Sequence, residues 1–292
     1  MGATPRAMFG NSVVDCSFYD TVRVYCIAPA KPGFIGRVPL ELSFNGQDWT
    51  ESGQMYTYYG NPYITRLFPK SGPTTGGTMA QVIGGNFTAD ALPEEFNCQF
   101  KAEGIPEKII PAQFVSEQEV LCTTPGGWGV GNEATVELTF NGVDFTNYNK
   151  TFVFFQIDGA YPQSGPSIGS DKPITVHGSG FRYNENATLY INDRTLETIE
   201  ASWYELKYPL PPASQGPWFL GSVLFETTVN GVDYTRFPNG FYYYPQPNIT
   251  DIYPYYGPIN GKEPIRIFGG PFYSDFVQAN TTCIVGEYLG RA

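Results

Sequence analysis

The sequence predicts an all-β fold, a series of tandem β-sandwiches joined into a semi-rigid rod. Three observations carry that reading. Charged residues make up only 15% of the 292 residues, against about 25% in an average globular protein. Their place is taken by 33 Gly, 25 Pro, 21 Tyr and 22 Phe, a mixture of turn formers and strand formers. The chain also repeats itself with a period of about 92 residues, the mark of an array of similar units. Finally, alternating strands run into Asn-Gly dipeptides at the same place in each repeat.

The repeat is carried by three markers in fixed order. Phe68-Pro69-Lys70-Ser71-Gly72-Pro73 returns as Tyr161-Pro162-Gln163-Ser164-Gly165-Pro166 and as Tyr253-Pro254-Tyr255-Tyr256-Gly257-Pro258. Each is followed by a Gly-containing segment ending in Phe: Val82–Phe87, Val176–Phe181 and Ile267–Phe272. The third marker is Asn45-Gly46-Gln47-Asp48, matched by Asn141-Gly142-Val143-Asp144 and Asn230-Gly231-Val232-Asp233. Asn-Gly tolerates positive φ at both central positions and so predicts a tight type I′ hairpin. Before it, Leu40, Leu42 and Phe44 are expected on one face with Glu41 and Ser43 outward, and Val136, Leu138 and Phe140 on one face with Glu137 and Thr139 outward. Several strands in some 92 residues match the size of an immunoglobulin-like sandwich.

The order P-x-S-G-P, I-x-G-x-x-F, C-x-F, V-x-C-x-x-P and then the Asn-Gly hairpin resembles the IPT/TIG domain. That is the immunoglobulin-like module of plexins and related receptors, of some transcription factors and of many repetitive surface proteins. The resemblance covers essentially the whole chain. It implies two-sheet sandwiches with no active site of their own, and a disulfide between Cys98 and Cys122. In the next repeat the equivalent positions fall near Leu189 and Tyr208, so both cysteines are replaced together. Aligned on these markers, residues 62–155 and 156–246 are complete units. Residues 1–61 correspond to the back portion of a unit and 247–292 to the front portion of another. The expectation is therefore either a window on a longer array or half-units completed by a neighbouring copy.

Cys16 and Cys26 flank a short hairpin, Ser17–Tyr25, and are close enough in sequence to pair; Cys283 would need a partner outside the chain. The alternative is five buried thiols in a reducing compartment. Five N-glycosylation sequons, at Asn86, Asn149, Asn186, Asn248 and Asn280, favour an extracellular or cell-surface location. Turn-forming asparagines with nothing attached are the plainer reading of each.

The charge balance excludes several functions. Seventeen Lys and Arg against 28 Asp and Glu give −11, the wrong sign for a phosphate-tracking surface, so no nucleic-acid partner is expected. One histidine, His177, removes most triads and zinc sites; it is expected as a core or half-buried substitute. Asp48, Asp144 and Asp233 are assigned to hydrogen bonding within their turns. The acidic cluster Asp90, Glu94 and Glu95 reads as a solvated loop. No cofactor, no metal, no catalytic residues and no membrane span are expected, and the chain reads as no enzyme. The aromatic strands Met55–Tyr59 and Phe241–Tyr244 must send some rings outward, which makes Tyr56, Tyr58, Tyr242, Tyr243 and Tyr244 candidate interface residues. Short joints at Phe155-Gln156-Ile157 and Pro245-Gln246-Pro247 leave little room for flexible linkers. The function expected first is a non-enzymatic structural rod, self-associating into a glycosylated filament or surface appendage. The alternative is the stalk of an adhesion protein or plexin-like receptor that binds a protein or glycan.

Overall fold

The computed structural model describes residues 4–90, 94–182 and 186–272, together with the backbone of the strands Thr282–Val285 and Tyr288–Arg291. Among the described residues there is no helix. The chain divides into two compact units: Met1–Phe68, Met79–Thr123 and Thr135–Thr151 form the first, and Pro69–Thr78, Thr124–Ala134 and Phe152–Ala292 the second.

In the first unit, five strands make an antiparallel sheet: β1 (Arg6–Phe9), β2 (Ser12–Phe18), β3 (Val24–Cys26), β4 (Gly36–Ser43) and β5 (Met55–Tyr58), in the order β3-β2-β1-β4-β5. Alternation along β1 buries Ala7 and Phe9 with Cys16 and Val38, while Arg6 faces Asp15 at 3.0 Å. Cys16 and Cys26 stand opposite each other in the β2–β3 register and are disulfide-bonded. The unit continues with β6 (Tyr63–Phe68), β8 (Met79–Gly85), β9 (Asn97–Ala102), β10 (Ile105–Ser116), β11 (Glu119–Thr123) and β12 (Glu133–Thr139). The long strand β10 pairs with β9 up to Pro111 and with β11 from Ala112. One strand thus passes from one sheet to the next, a common way of turning the corner of a sandwich. Cys98 on β9 and Cys122 on β11, both fully buried, are joined by the second disulfide. Phe87 and Phe96 stack on Phe140, with ring centroids 6.0 and 4.8 Å away.

In the second unit, β7 (Ser71–Pro73) runs parallel to the first half of β13 (Lys150–Tyr161), with Ser71, Gly72 and Pro73 opposite Val153, Phe154 and Phe155. From Gln156 onward the same β13 pairs antiparallel with β15 (Ser170–Ser179). A single uninterrupted strand closes one repeat and opens the next, so no linker separates them. The parallel pairing alone recurs where β14 (Ser164–Pro166) runs beside β23 (Phe241–Tyr244). The remaining strands are β16 (Thr188–Ile191), β17 (Arg194–Glu197), β18 (Glu200–Ala201), β19 (Glu205–Leu210), β20 (Gly221–Val223), β21 (Phe225–Thr228) and β22 (Tyr234–Arg236). They form the ladders β17-β16-β21-β22, β14-β23-β20 and β15-β19-β18 around one core that includes Ile174, Leu189, Leu206, Tyr208, Phe225 and Phe241. Leu189 and Tyr208 sit opposite Thr227 and Ile174, as Cys98 and Cys122 sit opposite Leu138 and Ala80. A leucine and a tyrosine thus fill the two places that the cystine holds one repeat earlier. Beyond Tyr244, β24 (Asn248–Tyr253) pairs with β25 (Arg266–Gly270) and β26 (Thr282–Val285) with β27 (Tyr288–Arg291).

Two expectations about the hairpin strands are corrected. The Asn-Gly turns are not type I′, since Gly46, Gly142 and Gly231 have positive φ but their asparagines do not. Each Asn side chain instead accepts the backbone N–H groups two and three residues on, at 2.8–3.0 Å, an Asx-type loop. Val136, Leu138 and Phe140 are buried as expected, but the outward facing expected of the residues between them fails. Ser43, Glu137 and Thr139 are buried, and Phe44 is 48% exposed. Ser43 is drawn in because its hydroxyl accepts the Gly46 N–H at 2.8 Å, and Thr139 because its hydroxyl donates to Asn141 Oδ1. Glu137 is covered by the segment after the turn, accepting the Thr146 hydroxyl and the Tyr148 and Asn149 N–H groups.

Candidate functional site

The feature repeated most faithfully is the hairpin S/T-x-N-G-x-D. In all three copies the Asn amide donates to the Asp carboxylate three residues on: Asn45 to Asp48 at 2.7 Å, Asn141 to Asp144 at 2.8 Å and Asn230 to Asp233 at 2.7 Å. A Ser or Thr two residues before each Asn completes the loop by bonding to the Asn side chain: Ser43, Thr139 and Thr228. These hydroxyls were missed from the sequence, although their recurrence at a fixed offset marks them.

The third hairpin does more than close on itself. Asn230, 3% exposed, also donates its Nδ2 to the carbonyl of Ser71 at 2.6 Å. Asp233 Oδ2 accepts the Thr78 hydroxyl at 2.7 Å. Both contacts lie within the second unit. They tie the hairpin to the start and end of the segment that contains β7. The pair reads a main-chain carbonyl and a side-chain hydroxyl, so the hairpin acts as a clamp on a neighbouring strand rather than as a reactive centre.

The aromatic strands place their rings unequally. Tyr243, expected among the interface residues, is 2% exposed; it points into the core and donates its hydroxyl to the Pro211 carbonyl at 3.0 Å. Burial pushes it up to about 12. Tyr242 and Tyr244 are half-buried, and burial raises Tyr244 as well. Tyr58 is half-buried and donates to the Pro29 carbonyl at 2.9 Å, while Tyr56 is 37% exposed. His177 is also corrected. It is exposed, 3.4 Å from Glu205, because the alternation of β15 turns Ile174 and Val176 inward and sends position 177 out.

Asn86, Asn149, Asn186 and Asn248 are all exposed. Asn86 and Asn149 adopt positive φ, and Asn86 donates its amide to the Asn61 carbonyl at 2.9 Å. Asn280 and the side chain of Cys283 lie outside the described residues. Asp90, of the acidic loop, pairs with Arg37 at 3.0 Å. Among the described residues no three His, Cys, Asp or Glu side chains come together as metal ligands, and no helix is long and apolar enough to cross a membrane.

Repeats that share a strand, a cystine in one and a Leu/Tyr pair in the same places of the next, and a hairpin that grips main chain define a tandem immunoglobulin-like β-sandwich protein. The chain belongs to the IPT/TIG domain family, which it matches at residues 62–154 and 156–244. It is 25% identical over 236 residues to human Plexin-A3, covering 76% of this chain and 12% of that one. It is 22% identical over 263 residues to human Plexin-A2, covering 88% and 13%. The chain thus spans about an eighth of the length of these relatives. A solved structure of the Plexin A4 full extracellular region is similar over 99% of this chain and 26% of that one, with 18% identity and a TM-score of 0.39. With two disulfides and plexin relatives, the chain is extracellular or cell-surface protein.

Proposed function

We propose that this chain is a segment of the ectodomain of a plexin-like cell-surface receptor or adhesion protein, where it serves as a non-enzymatic stalk and presents a binding surface to another surface protein. The observation that carries this reading is the joint itself. Strand β13 ends one repeat and begins the next without a linker, and Asn230 locks the following hairpin to Ser71. A strand shared by consecutive repeats leaves no free linker between them, which suits a stalk. The division into units at 1–61, 62–155, 156–246 and 247–292 belongs to the same proposal. So do N-glycans on Asn86, Asn149, Asn186, Asn248 and Asn280. Filament assembly gains no support from the plexin relatives and takes second place.

The test is biotinylation of intact cells that express the natural gene, followed by an alkaline carbonate wash. A stalk is labelled from outside and stays with the membranes, and a glycosidase that releases N-glycans lowers its mass. Release into the wash as long regular fibres, visible by negative-stain electron microscopy, would sink the receptor reading and restore the filament.

A further inference from the structure

Strands β6, β8 and β11 turn Leu67, Val82 and Val120 into the core, so the residues on either side of these look outward. Two rows run across that outer face. Glu119, Ile83 and Arg66 stand opposite one another in the first, and Leu121, Gln81 and Phe68 in the second; Met79 starts a third. The next repeat has the same registers, with Glu205 opposite His177, and Lys207 opposite Thr175 and Tyr161. Its face is solvated and charged: His177 lies 3.4 Å from Glu205, and Lys207 2.9 Å from Glu200. In the earlier repeat Ile83 and Leu121 take the places of the histidine and the lysine, beside Met79, 52% exposed, and Phe68, 42% exposed. The outer face of an antiparallel sheet is commonly polar, whereas a contiguous exposed apolar one marks an interaction surface. All of these residues belong to the first compact unit and to the repeat matched at residues 62–154.

We infer that this face is the contact of a homodimer, covered by the same face of a second copy of the chain. Its charges favour a copy over an unlike partner. Glu119 and Arg66 stand on either side of Ile83, two strand spacings or about 10 Å apart, too far to pair with each other. A two-fold axis along β8 brings Arg66 of each chain over Glu119 of the other. The same rotation lays Leu121 over Phe68, and Ile83, Gln81 and Met79 over their own counterparts. Cation meets anion, amide meets amide and apolar meets apolar, the self-complementarity that an isologous interface requires. Moving the axis by half a strand spacing sets each Glu119 against an isoleucine instead, so the pattern selects one register. Facing sheets stand about 10 Å apart with strands crossing at about 30°, which an Arg–Glu pair at the rim can span. Two chains of net charge −11 repel each other, so the apolar row supplies the affinity and the ion pairs fix the register. The face is only three strands wide, which makes the dimer weak and reversible. The two-fold closes on itself, so this contact builds a pair and not a filament. The inference does not rest on the receptor reading, because association of the chain by itself decides it.

The test is sedimentation velocity of the whole chain from low-micromolar to near-millimolar concentration, where a reversible monomer–dimer equilibrium is expected. Leu121→Lys, which copies the side chain the next repeat carries at Lys207, should weaken the dimer about tenfold or more. Arg66→Glu and Glu119→Arg each set like charges against each other across the two-fold, and each variant alone should dimerise more weakly than the parent. An equimolar mixture of those two variants restores opposite charges at both contacts and should dimerise more tightly than either by itself. Misfolded chains cannot give that rescue, so the mixture keeps the proposal falsifiable whatever the single variants do. A chain that stays monomeric throughout overturns the proposal and leaves the face to an unlike partner. A dimer that Leu121→Lys does not weaken places the contact elsewhere and overturns it too. A mixture no more dimeric than its components overturns the two-fold register.

Discussion

Asn230 and Ser71 are 159 residues apart in sequence, and the amide nitrogen of one lies 2.6 Å from the carbonyl oxygen of the other. Asn230 is buried, so each of its polar atoms needs a partner, and each has one. Oδ1 accepts two backbone N–H groups of its own loop, while Nδ2 is shared between Ser71 and Asp233. Asn230→Ala removes all of these, including the hydrogen bond to the Ser71 carbonyl. A loss of about 2–3 kcal/mol in urea-unfolding stability is expected. Asn141→Ala breaks the same local loop without the contact to Ser71, and should cost about 1 kcal/mol less. Equal losses for the two variants would show that the clamp adds nothing to the loop.

The glycines of the Ser-Gly-Pro strands are expected to be intolerant for reasons of space. Gly72 does not adopt a positive φ, so an alanine there meets no backbone strain. Its Cβ would nonetheless stand 2.2 Å from Thr78 Oγ1 and 2.9 Å from the Phe152 ring. Gly72→Ala should destabilise by about 1–3 kcal/mol, the usual range for overpacking. Phe152→Leu in the same chain should recover part of that loss by vacating the ring position. A double variant no more stable than Gly72→Ala alone would remove the steric account.

The two disulfides should contribute unequally. Cys98 and Cys122 are 24 residues apart and Cys16 and Cys26 are 10, so the chain-entropy relation gives about 3.5 and about 2.7 kcal/mol. Replacing Cys98 and Cys122 by alanine adds a cavity to the lost cross-link, because both are fully buried. The neighbouring repeat suggests the milder change. Cys98→Leu with Cys122→Tyr copies the Leu189 and Tyr208 solution and should fold, with a lower Tm than the parent but a higher one than the double alanine. Calorimetry of the three proteins orders them.

How much of this was legible in the sequence follows from the range of each interaction. The repeat and the all-β class were legible because they rest on local composition and on markers that recur in order. The facing of Ser43, Glu137 and Thr139 was not, because alternation describes a strand with one face on solvent. Here the residues after the turn fold back over Glu137, and the hydroxyls turn in to close the Asx loops. Tyr243 misled in the same way: a tyrosine next to two others looks like surface until its hydroxyl finds a carbonyl inside. The clamp was beyond reach. Asn230 and Asp233 show only a turn, and Ser71 takes part through its main chain, which carries no sequence signal.

Alkaline pH offers a test of the second core that needs no cysteine chemistry. Burial pushes Tyr208 and Tyr243 up to about 12 from the ordinary 10. Each folded-state pKa is therefore above its unfolded value. The stability these groups contribute is fully present below pH 10 and is lost as pH rises from about 10 to about 12, because the unfolded chain ionises first. The loss should reach about 2 kcal/mol per tyrosine at the upper end. Tyr243→Phe removes its share of that slope, and at pH 7 it costs about 1 kcal/mol for the hydrogen bond to Pro211. Urea midpoints measured between pH 8 and pH 12 should thus cross, with the parent more stable at neutral pH and the variant more stable at the alkaline end. Parallel curves would mean that Tyr243 ionises in the folded protein as readily as in the unfolded chain, and that its place in the core is not sealed.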